Sequence, residues 1–235
     1  MLSEWYTDPI EEDIDIIPAD APADSLYTPR NSKKQKNQKN QVETFRIMEG
    51  QAMGKKKRYH RDRAVAYAQK YAGAAWGAGN NNRYNKSYRD YTYLGGDCTN
   101  FASQVIGDPK EGGGLPMTMG WRYWYNSGGT RSWVQTDAFK NFLLNRGYGR
   151  LIARGYFADV VKPTDRYPKG AISVLQPGDL IAYEFNGDVD HFSVVVGYDR
   201  YGYPLVNSHT GDRNLVPWDL GWGMSTKFLL IHIND

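Results

Sequence analysis

Apolar positions recur at two different periods along this chain, and the change of period divides it. In DRAVAYAQKYAGAAW, Ala64, Tyr67, Ala68, Tyr71, Ala72 and Ala75 fall on one helical face, with Arg63, Gln69 and Lys70 opposite. That spacing predicts an amphipathic helix ended by Gly77 and Gly79. CTNFASQVI predicts a second helix, with Phe101, Ala102, Val105 and Ile106 on one side and Gly107 and Pro109 as the stop. TDAFKNFLLNRG predicts a third, capped near Thr136 or Asp137 and closed by Gly147. The C-terminal third reads differently. DLIAYEF, HFSVVVGY, PLVNSHT and KFLLIHI are short runs rich in β-branched and aromatic residues, separated by turn-forming segments such as NGDVD and DRYGY. Helices followed by an antiparallel meander predict an α+β domain with helices packed on one face of a sheet.

Before residue 59 neither period is present. Residues 1–29 carry eight acidic residues and no Lys or Arg, whereas residues 30–63 carry twelve basic residues against three acidic ones. These stretches offer too little apolar surface to offset the entropy of ordering them, so residues 1–58 read as an acidic then basic tail or linker. The folded domain is expected over residues 59–235. The basic part, residues 30–63, could also attract an anionic wall polymer or membrane surface.

Composition narrows the function classes. The net charge of +3 over 235 residues is too small to suggest a nucleic-acid protein. No apolar run is long enough for a transmembrane segment, and the start of the chain shows no secretory signal pattern. A lone cysteine excludes an internal disulfide framework and any zinc site built from cysteines alone. Neither HxH nor HExxH occurs, so no metal ligands are assigned, and nothing points to a cofactor.

The candidate chemistry centres on Cys98, in GGDCTNFASQ. At the first turn of a helix, unpaired N–H groups and the positive end of the helix dipole favour the thiolate, which is the nucleophilic form. The bland alternative is a small buried hydrophobe, but Cys98 precedes the apolar stripe rather than joining it. Of the four histidines, His60 lies in a basic stretch and His232 in a terminal strand run. His191 opens a strand after a turn, where a rigid backbone suits a base. Asn207 and His209 share one face of the next strand and are candidates to orient the imidazole, with His209 preferred. The Cys98 N–H is a candidate oxyanion donor, with Tyr93 or Asp97 as a second group. MGWRYWYNSGGTRSWVQTD is aromatic enough to line a substrate groove through Trp121 and Trp124, or to pack a core. Glycines at 112–114 and 128–129 suggest mobile loops beside it.

AVAYAQKYA, GGDCTNFASQ, LQPGDLI, DHFSVVVGY, NSHTGDRNL and KFLLIHI, in that order, resemble the bacterial putative amidase domain family. That family is similar to papain-like cysteine hydrolases of the NlpC and CHAP types. The resemblance implies a papain-like fold, Cys98 as nucleophile and His191 as base. It also implies an amide substrate, in peptidoglycan or a similar peptide, and an extracellular or wall-associated location. Acyl transfer to an amine, as in transglutaminases, would use the same thioester. A non-catalytic module would be expected to lack Cys98 or His191.

Overall fold

The computed structural model describes residues 59–74 and 82–235. The tail expected over residues 1–58 and the helix stop expected at Gly77 and Gly79 lie outside the described residues. In chain order the helices are α1 (Arg61–Tyr71), α2 (Cys98–Gly107), α3 (Arg131–Val134), α4 (Thr136–Asn145) and α5 (Phe157–Val161). The strands are β1 (Tyr123–Trp124), β2 (Gly128–Gly129), β3 (Gly149–Gly155), β4 (Leu180–Phe185), β5 (Asp188–Tyr198), β6 (Pro204–Ser208), β7 (Arg213–Pro217) and β8 (Lys227–Ile233). The architecture is α+β. Strands β3 to β8 form one six-stranded antiparallel sheet in the order β3-β8-β4-β5-β6-β7, and β1 and β2 form a separate small hairpin. Among the described residues no helix is long and apolar enough to cross a membrane.

Both faces of the sheet are covered. Phe192, Val194 and Val196 of β5 pack with α1, α2 and α4 in one cluster, built around Phe101, Val105, Phe139 and Leu143. Val195, on the opposite face, joins Tyr183, Trp218 and Phe228 in a second cluster beneath α5 and the Ala171–Val174 turn. This is the period-two alternation expected of a strand. The longer helices share one face as predicted, but the other face is covered too. That explains why HFSVVVGY reads as a nearly continuous apolar run.

The β4–β5 connection is tighter than the sequence suggests. Asn186 (φ 48°) and Gly187 (φ 105°) alone make the turn, so Asp188–Asp190, read as part of a separator, already belong to β5. Two positive φ angles at an Asn-Gly pair are what a two-residue hairpin needs. Strands β3 and β7 have no counterpart among the predicted runs. Both are edge strands, which pair on one side only and need less apolar character.

Polar contacts tie the ends of the domain together. The buried Asp179 carboxylate accepts from Arg61 Nη1 (2.8 Å) and from the N–H groups of Gln176 (2.8 Å) and Ile233 (3.1 Å). His232 Nδ1 lies 3.1 Å from Asp179 Oδ2, so His232 is a satisfied structural histidine. His60 donates its backbone N–H to Gly113 (2.9 Å), and the buried Tyr59 hydroxyl donates to the Gly178 carbonyl (2.7 Å). The loop at Gly112–Gly114 is therefore a packing surface. A Cβ added at Gly113 would meet the Tyr59 ring at 2.1 Å, and one at Gly129 would meet Trp133 at 2.7 Å. The expectation of mobile loops is corrected accordingly: these glycines admit aromatic rings.

Candidate active site

Cys98 is the first residue of α2 and is 4% exposed. The chain enters the helix through Gly95 (φ 110°) and Gly96 (φ 119°), a conformation that glycine adopts without the clash a Cβ would cause. Asp97 then supplies the carbonyl that receives the first helical bond, from Phe101 N–H (2.9 Å). All ten residues of α2 are buried. Its polar side is satisfied from neighbouring elements: Trp133 Nε1 donates to Asn100 (2.9 Å), Trp121 Nε1 to Ser103 (3.0 Å) and the Tyr67 hydroxyl to Gln104 (2.8 Å). A rigid, fully packed helix therefore presents Cys98 at its N-terminal end. The Sγ atom lies 3.8 Å from Thr99 Oγ1.

Asp97 is itself a junction. Its backbone N–H donates to Thr210 Oγ1 (2.6 Å). Its Oδ1 accepts from Tyr91 N–H (2.9 Å) and Asn100 Nδ2 (2.8 Å), and its Oδ2 lies 2.6 Å from His209 Nδ1. The other nitrogen of His209 lies 2.8 Å from the Tyr71 carbonyl at the end of α1. The imidazole is stacked between Tyr84, at a centroid distance of 3.4 Å, and Phe101, at 3.9 Å. A carbonyl and a carboxylate are both acceptors, so both His209 nitrogens are satisfied when each carries a proton. Asn207 is committed in the same way, donating to the Ala68 carbonyl (3.0 Å) and accepting from Leu215 N–H (2.7 Å).

These contacts correct the assignment of an orienting residue. The hydrogen bonds of His209 and Asn207 run to Asp97, α1 and β7 rather than to His191, and they lock α1, α2 and β7 to β6. The reason is the pleat. Asn207 lies opposite Val194 in the ladder and shares its face, whereas His191 lies three residues from Val194, on the face of Ser193 and Val195.

His191 is 1% exposed. It sits opposite Tyr183 in β4 and beneath Trp222, with ring centroids at 5.6 and 5.4 Å. Its Nε2 is 3.4 Å from Arg213 Nη1 of β7; a guanidinium only donates, so Nε2 is the acceptor there and Arg213 is not an orienting residue of the expected kind. The guanidinium also lies 4.9 Å from the Trp222 ring centroid, and it donates from Nη2 to the Leu220 carbonyl (3.3 Å). Burial first, and then the Arg213 charge, pull the His191 pKa well below its ordinary value, which keeps the imidazole neutral.

The pleat puts Cys98 and His191 on different faces: α2 packs on the face of Phe192 and Val194, whereas His191 faces Tyr183 and Trp222 on the other. The β5–β6 ladder runs only from Val194 to Tyr198, so the start of β5 extends past β6. The Thr210 and His209 contacts of Asp97 place the N-terminus of α2 on the turn that immediately follows β6. Sequence reasoning missed Arg213 as a side chain near the base, although it stands in NSHTGDRNL. A single Arg in a turn-rich segment carries no periodic signal.

The remaining candidates separate by burial. Trp121 is fully buried against Trp133, Phe142 and Tyr148, so it is core and lines no groove. Asp97 is 1% exposed with both oxygens committed, which leaves it no free acceptor for substrate. Tyr93 is 95% exposed on the turn before Gly95, with its side chain out in solvent. Trp124 (44% exposed) and Tyr125 (52%) form an exposed aromatic pair on the β1–β2 hairpin. That hairpin packs on the segment leading to Cys98: the Tyr123 hydroxyl accepts from Arg89 N–H (2.6 Å), and the Tyr91 hydroxyl accepts from Gly129 N–H (3.2 Å). Among the described residues there is no group of three or more His, Cys, Asp or Glu that could hold a metal ion.

Comparison with known proteins agrees with this extent of fold. The model of the family described as "Putative amidase domain" matches residues 58–232. The chain is also 30% identical over 198 residues to the uncharacterised protein YhbB of Bacillus subtilis strain 168. That alignment covers 80% of this chain and 54% of YhbB, so the chain spans about half the length of that relative. No solved structure gives a significant match. Since the family match runs from just before α1 into β8, and takes in the helix that begins at Cys98 and the strand that carries His191, this chain belongs to the putative amidase domain family.

Proposed function

We propose that the protein hydrolyses amide bonds through a Cys98 thioester, with His191 as general base. Family membership supports amide hydrolysis, and a single observation supports the cysteine route. The chain's one cysteine opens a buried helix that packs on β5, the strand whose other face carries a histidine kept neutral by burial and by Arg213. A neutral imidazole takes the thiol proton as the sulfur attacks the amide carbon, and the C–N bond then breaks as the imidazolium returns that proton to the leaving amine. Water, deprotonated by the same ring, releases the acid and restores the thiol. The Arg213 charge disfavours a standing imidazolium, so the resting pair in this reading is thiol and imidazole.

A helix carrying the nucleophile at its N-terminus and packed on an antiparallel sheet carrying the histidine is the arrangement of papain-like hydrolases, and we assign the domain over residues 59–235 to that class. We take the substrate to be an amide of bacterial cell-wall peptidoglycan, which places the protein at the wall, with Trp124 and Tyr125 as the exposed aromatic contacts. The test is mass spectrometry of muropeptides incubated with the wild-type protein, Cys98→Ala and His191→Ala. Loss of released amine in both variants, with unchanged circular dichroism, supports the reading. Undiminished cleavage by Cys98→Ala rejects it.

A further inference from the structure

Asp97 poses an electrostatic problem for any nucleophile at position 98. A carboxylate adjacent in sequence, buried and therefore poorly screened, disfavours a second negative charge on the sulfur. Yet its two oxygens are held by Tyr91, Asn100 and His209, which fixes it in place as a carboxylate acceptor.

His209 answers that problem. It lies 2.6 Å from Asp97, it faces a carbonyl with its other nitrogen, and Tyr84 and Phe101 clamp it on both faces, so it cannot swing away. We propose that His209 is a positioning residue and the counter-ion of Asp97. It cancels the carboxylate's field at Cys98 so that the thiolate can form, and through Asp97 it fixes the first turn of α2. This inference rests on Cys98 being the nucleophile.

Other charged groups surround the pair. Asp212, from the turn between β6 and β7, accepts a hydrogen bond from the Tyr84 hydroxyl (2.5 Å). Burial raises the Asp212 pKa, while Tyr84 and His209 oppose that shift. Tyr71 faces His209 through its carbonyl from α1 and Tyr91 faces Asp97 from the loop before α2, while Arg213 lies beside His191 on the opposite face of the sheet.

Because the chain has one cysteine, ultraviolet absorbance of the thiolate followed against pH reports Cys98 alone. His209→Gln leaves the carboxylate uncompensated and should raise the thiol midpoint by about one pH unit. Asp97→Asn removes the negative charge and should lower it by about the same amount. The double variant should return close to wild type. Amide hydrolysis by His209→Gln should recover when assayed about one pH unit higher, which a merely loosened structure would not do. An unchanged midpoint in His209→Gln, or shifts of the same sign in both single variants, overturns the proposal. If His209→Gln does not fold, the isosteric Asp97→Asn decides alone: a fall supports the proposal, and a rise or no change overturns it. The cysteine reading fails separately, when Cys98→Ala still cleaves amides, whatever the titrations show.

Discussion

Trp121 offers the sharpest test of how the aromatic segment is used. It has no exposed surface, it contacts Trp133 at 4.9 Å, Phe142 at 5.3 Å and Tyr148 at 5.6 Å between ring centroids, and it donates to Ser103 at 3.0 Å. Replacing it by Ala empties an indole-sized volume that rigid neighbours cannot fill, and such truncations cost about 3–5 kcal/mol. The Ser103 hydroxyl also loses its donor inside a buried helix, adding about 1 kcal/mol. For a domain of this size each kcal/mol lowers the midpoint of thermal unfolding by about 2–4 °C, so a fall of roughly 8–24 °C is expected. Differential scanning calorimetry measures it. KM measured well below the new midpoint should be unchanged, since Trp121 does not face solvent. Trp124→Ala, at an exposed site, should shift the midpoint by less than about 0.5 kcal/mol's worth and act on KM instead. A Trp121→Ala protein as stable as wild type but with a raised KM would refute the packing assignment and restore the groove.

Arg213→Gln removes the cation beside His191, so the imidazole pKa should rise and the acid limb of kcat/KM should move towards neutral pH; an unmoved limb in the pH–rate profile would show that Arg213 does not act on the base. The same depressed pKa makes stability pH-dependent: below the unfolded value of about 6.5 the unfolded chain binds the proton more readily than the native one, so His191 costs stability as pH falls from there towards its native pKa. Urea unfolding at stepped pH should show that loss, and it should be smaller in Arg213→Gln. Asp179→Ala leaves Arg61 without its buried partner and strips acceptors from Gln176 and Ile233, with an expected loss of about 3–5 kcal/mol in urea unfolding; under about 1 kcal/mol would show that the knot is dispensable. Gly113→Ala forces a methyl against the Tyr59 ring and should cost about 1–3 kcal/mol, whereas a flexible loop would tolerate it.

The sequence by itself determined the elements with strong periodicity. The helix opening at Cys98, the helix over Thr136–Asn145 and the strands β4, β5, β6 and β8 follow from local apolar spacing, because one buried face per element is a local requirement. It also placed Cys98 at a helix start, since glycines before an apolar stripe leave few other conformations. Only the tertiary structure decided which polar side chains face each other. His209 and Asn207 look like partners for His191 along the chain, but strand pairing and pleat put them on the opposite face, where they bond to Asp97, Tyr71 and Ala68. Arg213 reaches His191 from an edge strand with no periodic signal. The polar side of α2 is buried because Trp121, Trp133 and Tyr67 arrive from elsewhere with donors. A hydrogen bond needs its partner within about 3 Å, and residues tens of positions apart come that close only through packing of the whole domain.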